Sequence, residues 1–309
     1  PDPRRTRATA LDRERHPPPT AKGRSRTRAR NEGLDISDTR GCNITSGTNH
    51  LLEPCGKLAG SGGGAVEVLQ SLLAENDHEA AHNRSHFDGH GVLAINLMSS
   101  PGSGKTSLLE ATIRAWNGRR KLAVIEGDLE TENDARRIRA LGVPAVQIAT
   151  GNACHLDAHM VHHALHELDL AELDILFIEN VGNLVCPASF DLGQHLNVAL
   201  LSVTEGDDKP AKYPVMFRAA DNVLVSKTDL LPVLDDFDPA AATRAVRALA
   251  SAAPVLHVSA RSPDGLAAWL NWLEDELTAH RRRLEQGESR RPAVQPEGAA
   301  LHAAGVAEA

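Results

Sequence analysis

Residues 96–111 read NLMSSPGSGKTSLLEA, a glycine-rich turn that runs into Lys105-Thr106-Ser107. Such a turn suits phosphate. Backbone N–H groups of 99–107, those of Gly102, Ser103 and Gly104 among them, would point at phosphate oxygens. The dipole of a helix opening here adds to the attraction. Lys105 would reach the β- and γ-phosphates, the Thr106 hydroxyl would bind Mg²⁺, and Ser107 closes the loop. The pattern G-x-x-x-x-G-K-[ST] begins with glycine, whereas Ser99 stands there, a change that ordinary backbone angles at that position tolerate. The run GVLAINLM before the loop reads as a buried strand and the run after it as a helix, the context that gives the motif its mechanism.

Downstream, NVLVSKTDLL ends a second apolar run in Ser226-Lys227-Thr228-Asp229, close to the N-K-x-D pattern that reads guanine. A carboxylate at Asp229 accepts from the N1–H and the exocyclic amine of guanine. Adenine offers neither donor, and a mismatch of that kind discriminates by about 10⁴ or more. Lys227 would lay its stem along the base. In HVSARS, Ser259-Ala260-Arg261 matches the small-residue loop that closes over guanine. The three motifs come in the order expected of a GTPase, and GTP is the expected nucleotide.

A third group is sulfur and imidazole. TGNACHLDA places Cys154 beside His155, and ENVGNLVCPASF places Cys186 seven residues after Glu179. Both segments should leave the carboxyl edge of a parallel sheet, where ligands sit. Two thiols and an imidazole are donors for Zn²⁺ or another late first-row ion. Cys154 alone would read as a buried inert thiol; His155 and Cys186 together favour metal. Three ligands leave a position open, which suits a transient site or one completed by a second subunit.

These residues need a scaffold. Strands are expected at 91–98, 121–126, 145–149, 174–179, 199–204, 222–226 and 255–259, alternating with helices at 104–116, 132–141, 156–168, 239–252 and 264–280. Alternation of this kind means α/β: a mostly parallel sheet with helices on both faces, here of P-loop NTPase type. An amphipathic helix is expected ahead of it, with Val66, Leu69, Leu72, Leu73 and Ala80 at helical spacing. Residues 1–63 read as a disordered arm and linker, 64–283 as the GTPase domain with its leading helix, and 284–309 as a disordered tail.

Net charge is −8, unevenly spread: residues 1–30 carry ten Lys/Arg against three Asp/Glu, and the remainder 23 against 38. The basic arm has no apolar period and almost no aromatics, so it reads as a solvated tail and not as a nucleic-acid surface. No apolar run approaches membrane-spanning length and the arm lacks a secretory core, from which a soluble, cytoplasmic protein is expected. The four cysteines (Cys42, Cys55, Cys154, Cys186) are then thiols or ligands and not disulfides. The first methionine is Met98, so the true start is expected to be missing or to use an unusual codon.

Taken together, LLAENDHEAAHNR…GVLAINLMSSPGSGKTSLLE, EGDLETENDARRI, QIATGNACHLDAHMV, IENVGNLVCPASFDLG, VTEGDDKPAKYP and SKTDLLP resemble the HypB family, GTPases that help insert nickel into the large subunit of [NiFe]-hydrogenase. The resemblance covers about 66–280. It implies nickel or zinc ligands at Cys154, His155 and Cys186, GTP-dependent homodimerisation, and partnership with a HypA-type nickel metallochaperone and the hydrogenase large subunit. It further implies Asp128, with Glu130 nearby, supporting Mg²⁺ and the attacking water, and Glu179 holding Mg²⁺ through water. The family's short C-x-x-C-G-C nickel motif is not matched, since twelve residues intervene between Cys42 and Cys55. His78, His82, His86 and His90 recur every four residues. With Asp88 and Gly89 expected to end the helix before His90, they read as a solvated helix face. A urease-type nickel GTPase would carry Cys-Pro-His, but Ala188 follows Pro187. A pure metal store would not need Lys105, Thr106, Asp128 and Asp229.

Overall fold

The computed structural model describes residues 63–292 except 129–131, 152 and 250. The basic arm, Cys42, Cys55, Glu130 and the last 17 residues lie outside the described residues. Strands β1 (Leu93–Ser99), β2 (Leu122–Asp128), β3 (Ala145–Ala149), β4 (Ile175–Glu179), β5 (Leu196–Ser202), β6 (Asn222–Ser226) and β7 (Val255–His257) form one sheet. Its order is β3-β2-β4-β1-β5-β6-β7, and every pairing is parallel. Every strand therefore ends at the same edge, and each expected motif leaves from that edge.

Both faces are covered, as parallel strands require. Leu93, Ile95 and Leu97 of β1 enter a core with α2 (Lys105–Trp116), α3 (Asn133–Arg139) and α8 (Ala267–Glu285), built on Trp116, Ile138, Trp269 and Leu273. Val92 and Ala94 turn to the opposite face, toward Phe87 of α1 (Gly63–His90) and Val161 and Leu165 of α4 (Ala158–Leu165). Short α5 (Lys209–Lys212) and α6 (Pro214–Arg218) lead to α7 (Pro239–Ala248), whose Val246 packs with Phe217 and Val223 in a third cluster.

Several boundaries differ from expectation for local reasons. The helix expected from 156 starts at Ala158, because the Asp157 carboxylate accepts the Met160 N–H at 2.8 Å as its cap. The strand expected at 199–204 runs Leu196–Ser202, set by its register with β1 from Ile95 onward. The leading helix does not stop before His90. Asp88 stays in its last turn with its carboxylate held by His195 Nε2 at 3.0 Å, and Gly91, at φ 69°, ends the helix. Helix α8 likewise continues to Glu285, and Arg290 beyond it pairs with Asp221 and Glu276.

Helix α1 is fixed by polar side chains as well as by apolar packing. Asn76 donates to the Asp191 carbonyl and accepts from the Ala158 N–H. Fully buried Asn83 donates to the carbonyls of Ala158 and Leu192, and Arg84 pairs with Asp191.

A second buried polar row crosses the sheet. Asn180 Nδ2 donates to Asn96 Oδ1 at 3.2 Å, and Asn96 Nδ2 donates to Asn197 Oδ1 at 3.1 Å. All three side chains are at most 1 % exposed. Replacing Asn96 by alanine strands the Asn180 amide in an apolar interior, and we expect a loss of about 1–3 kcal/mol. Urea unfolding at constant slope measures it; a midpoint equal to wild type would mean that the row carries no stability.

Candidate functional site

The glycine-rich loop spans the gap between β1 and α2. Gly104 caps α2 at φ 97°, ψ 27°, with Gly102 at φ 77°, conformations that side-chain-bearing residues enter at a cost. The left-handed turn leaves the first N–H groups of α2 directed away from the helix, the arrangement that binds anions. Ser99 sits fully buried at the end of β1 and outside the left-handed region, and its Oγ accepts from Lys105 Nζ at 3.1 Å. The serine in place of the first glycine thus has a role of its own: it holds the lysine.

Thr106 Oγ1 donates to Glu179 Oε1 at 2.9 Å, and Lys105 Nζ lies 3.9 Å from the same oxygen. Glu179 is directly paired in register with Glu126 on the neighbouring strand. Both are buried, and the two carboxyls interact. Burial first, and the neighbouring Glu179 second, push the Glu126 carboxyl up to about 11. Burial also raises Glu179, opposed by Lys105. Two carboxylates this close cannot both ionise in a dry site, so Glu126 holds the proton and Glu179 carries the charge beside the lysine. Asp128 closes β2 two residues on, and its carbonyl accepts the Thr150 N–H at 2.9 Å.

On the other side of the loop, the two motifs expected to read guanine are tied together, and the first of them to the loop. Ser226 Oγ donates to the Ser103 carbonyl at 2.8 Å, and Lys227 Nζ donates to the Gly102 carbonyl at 2.7 Å. Lys227 itself is left-handed at φ 59°, and its stem lies over Gly104, where an added Cβ would stand 3.8 Å from Lys227 Cε. Ser259 Oγ donates to Asp229 Oδ1 at 2.8 Å and accepts from the Arg261 N–H, so the loop holding Ala260 orients the carboxylate.

The metal candidates also meet. Cys154 Sγ lies 3.0 Å from Cys186 Sγ and 3.5 Å from His155 Nδ1. Neither cysteine forms a disulfide, and donor atoms of the three residues fall within 4.8 Å of one another. His155 is buried and its ring stacks on Phe190 at 3.9 Å between centroids. The arrangement offers two sulfurs and one nitrogen to a borderline-soft ion.

Short segments join the two halves. Asn180, the residue after Glu179, accepts from the Leu156 N–H at 3.2 Å, two residues from Cys154. Gly182 lies against the glycine-rich loop so closely that a Cβ there would stand 2.8 Å from Pro101 Cα.

Glu126, Asn180, Gly182, Phe190 and the Ser226–Ser103 bond lie beyond what motif reading picks out. One sign of Glu126 is present in the sequence, a carboxylate inside the apolar run LAVIEGD. The others depend on strand register.

Seven parallel strands with a phosphate-type loop between the first strand and its helix define a P-loop NTPase. Residues 93–257 match the family model described as the CobW/HypB/UreG nucleotide-binding domain. The hydrogenase maturation factor HypB of Azotobacter vinelandii is 59 % identical over 209 residues, 68 % of this chain and 69 % of that protein. HypB of Escherichia coli K12 is 51 % identical over 214 residues, 69 % of this chain and 73 % of that protein. Among solved structures, HypB of Helicobacter pylori in complex with nickel superposes with a TM-score of 0.64 at 43 % identity, covering 67 % of this chain and 97 % of that one. HypB of Archaeoglobus fulgidus gives 0.62 at 38 % identity, covering 66 % and all of that chain. The chain belongs to the HypB family of hydrogenase maturation factors. Among the described residues no helix is long and apolar enough to cross a membrane.

The carboxyl pair generates a pH test. The folded value of Glu126 lies above its ordinary 4.5, so folding binds a proton that the unfolded chain releases. Its contribution is unpenalised below about pH 4.5 and falls as pH rises towards the folded value, by at most about 1.4 kcal/mol per pH unit. Glu126→Gln keeps the neutral shape and removes the loss. The nucleotide-free variant should gain thermal stability over wild type increasingly from pH 5 to 8. A constant difference across that range would mean that Glu126 is ionised in the fold.

Proposed function

We propose that this chain is a GTP-hydrolysing, nickel-handling maturation factor that helps deliver nickel to the large subunit of a [NiFe]-hydrogenase. Support comes from the relatives' shared name and from the nickel complex of the Helicobacter pylori protein. The observation that carries it is spatial. Cys154, His155 and Cys186 form a sulfur–imidazole cluster, joined by seven residues to the carboxylate that bonds Thr106.

In this reading Gly102, Ser103, Gly104 and Ser107 line the phosphate loop, Lys105 contacts the β- and γ-phosphates, and Lys227, Asp229, Ser259 and Ala260 bind guanine. Mg²⁺ fits the residues present. Thr106, Asp128 and Glu179 are hard oxygen donors of the kind it takes, and the buried Glu179 Oε2 accepts from no group other than the neighbouring Glu126 carboxyl. Bound there, Mg²⁺ would neutralise phosphate charge during transfer to water. On GTP binding Lys105 would exchange Ser99 and Glu179 for phosphate, and Thr106 would release the Glu179 carboxylate. Asp128 is the candidate to orient the attacking water. Nickel or zinc is cargo at Cys154, His155 and Cys186. A second subunit facing that cluster would supply the remaining ligands, which makes a GTP-dependent homodimer the expected partner, with a HypA-type metallochaperone as donor. The names of two Helicobacter relatives couple hydrogenase with urease maturation, so delivery to a urease is the second reading.

Base recognition is tested by Asp229→Asn, which turns an acceptor into a mixed donor and acceptor and should move preference from GTP towards XTP. Retention of wild-type GTP affinity with exclusion of XTP would remove Asp229 from the guanine site.

Coupling is tested through Gly182. Alanine there forces the 180–186 segment away from Pro101. Nickel affinity in wild type should differ about five-fold or more between the GDP and GTP-analogue states. In Gly182→Ala, as in Cys186→Ala, that difference should collapse. In Gly182→Ala metal binding itself should persist. Equal nickel affinities in both wild-type nucleotide states would sink the switch.

A further inference from the structure

Helices α1 and α4 bring a second set of imidazoles together, away from the cysteines. His82 and His86 share a face of α1, with Nε2 atoms 3.2 Å apart, and His162 of α4 stands opposite, its ring centroid 5.0 Å from that of His82 and 6.0 Å from that of His86. One ring nitrogen from each falls within 4.8 Å of the others. The solvated-face reading of these histidines covers only α1; the α4 partner is invisible in the α1 sequence.

The surrounding hydrogen bonds fix which nitrogens are available. Asn83 spends its amide N–H groups on the carbonyls of Ala158 and Leu192, so its Oδ1 must accept, and His162 Nδ1 lies 3.1 Å from it. Glu79 Oε1 lies 3.3 Å from His162 Nδ1 and 3.5 Å from His82 Nδ1. The Nδ1 atoms of His82 and His162 therefore carry their protons towards acceptors, which leaves Nε2 as the lone-pair nitrogen of each ring; that of His82 meets His86 Nε2, a contact that a metal ion would replace. Carboxylate–histidine pairs of this kind orient metal-binding imidazoles. Two nitrogens on one ion at about 2.1 Å stand about 3.0–3.4 Å apart for right-angle to tetrahedral geometry, which brackets the 3.2 Å seen between His82 and His86. A cavity of about 240 Å³ opens beside the cluster, lined in part by His86, His90, His162 and His166.

Two further histidine groupings contrast with this one: His159 and His163 of α4 also bring Nε2 atoms to 3.2 Å, but among the described residues no third donor joins them. His195 Nδ1 accepts the Ala94 N–H and its Nε2 faces Asp88, so both nitrogens are already used.

We propose that His82, His86 and His162 form a second metal site, for a late first-row divalent cation such as Ni²⁺ or Zn²⁺, with Glu79 and Asn83 orienting its ligands. All-nitrogen ligation excludes Mg²⁺ and Ca²⁺, which take oxygen. The site shares α4 with the cysteine cluster, which immediately precedes that helix, so it can hold a second ion on the same subunit.

The test uses the full chain without nucleotide, with Ni²⁺ and Zn²⁺ as probes. Wild type should take up two equivalents, only one of them with Ni²⁺ giving thiolate charge-transfer absorption. Cys154→Ser with Cys186→Ser should lose that equivalent and keep the other. Adding His82→Gln and His86→Gln should weaken the remaining equivalent about ten-fold or more, with circular dichroism and GTP hydrolysis unchanged; His162→Gln alone should do the same. A chain lacking Cys154 and Cys186 that binds no metal overturns the proposal, as does binding that survives loss of His82 and His86, which would place the metal on other residues. Failure of nucleotide coupling at the cysteines is read on the sulfur-ligated equivalent and leaves this outcome distinct.

Discussion

Everything at the carboxyl edge of the sheet depends on one electrostatic constraint. Glu126 and Glu179 are placed opposite each other by parallel register, both out of water, with a single lysine 3.9 Å from Glu179. A pair like that cannot carry two charges without more cations than the chain supplies. The nucleotide-free protein resolves the conflict by keeping Glu126 protonated and by spending Lys105 and the Thr106 hydroxyl on Glu179. Those are the groups a bound nucleotide would need. Phosphate with its cation would therefore replace internal partners.

From that carboxylate the chain has little slack. Asn180 is bonded to Leu156 behind and to Asn96 within the sheet, Gly182 abuts Pro101, and Cys186 follows in a single tight turn. A change at Glu179 has few internal degrees of freedom in which to dissipate before it reaches sulfur. Close-packed segments of this sort shift between discrete arrangements and do not deform smoothly. If nucleotide and metal each favour one arrangement, thermodynamics makes their effects reciprocal.

How much of this was legible in the sequence follows from the range of each signal. The P-loop, the SKTD segment and the Cys-His pair are local, and composition and spacing suffice to read them. The sheet was legible because each buried strand is an unbroken apolar run between turn residues. Glu126 was not, because a carboxylate in LAVIEGD gains its meaning only from register with Glu179 on a strand 53 residues later. His162 hid for the same reason: it completes a cluster on a helix that its partners' sequence never mentions. The end of α1 was misread because Asp88 and Gly89 are poor helix formers in isolation, and His195, from far along the chain, overrides that preference.

The fold divides its tasks across β1. On one side, β6 and the residue after it are bonded to the phosphate loop through Ser226 and Lys227, and the loop after β7 is bonded to Asp229 through Ser259. That side has its hydrogen bonds made in advance, so base recognition costs little rearrangement. On the other side, β4, β2 and β3 carry the carboxyl pair and lead to the cysteine cluster, where partners would have to change on ligand binding. In the proposed function, a preorganised base site beside an adjustable phosphate and metal site would let the same nucleotide be held by its base while the state of its phosphates is felt at the metal.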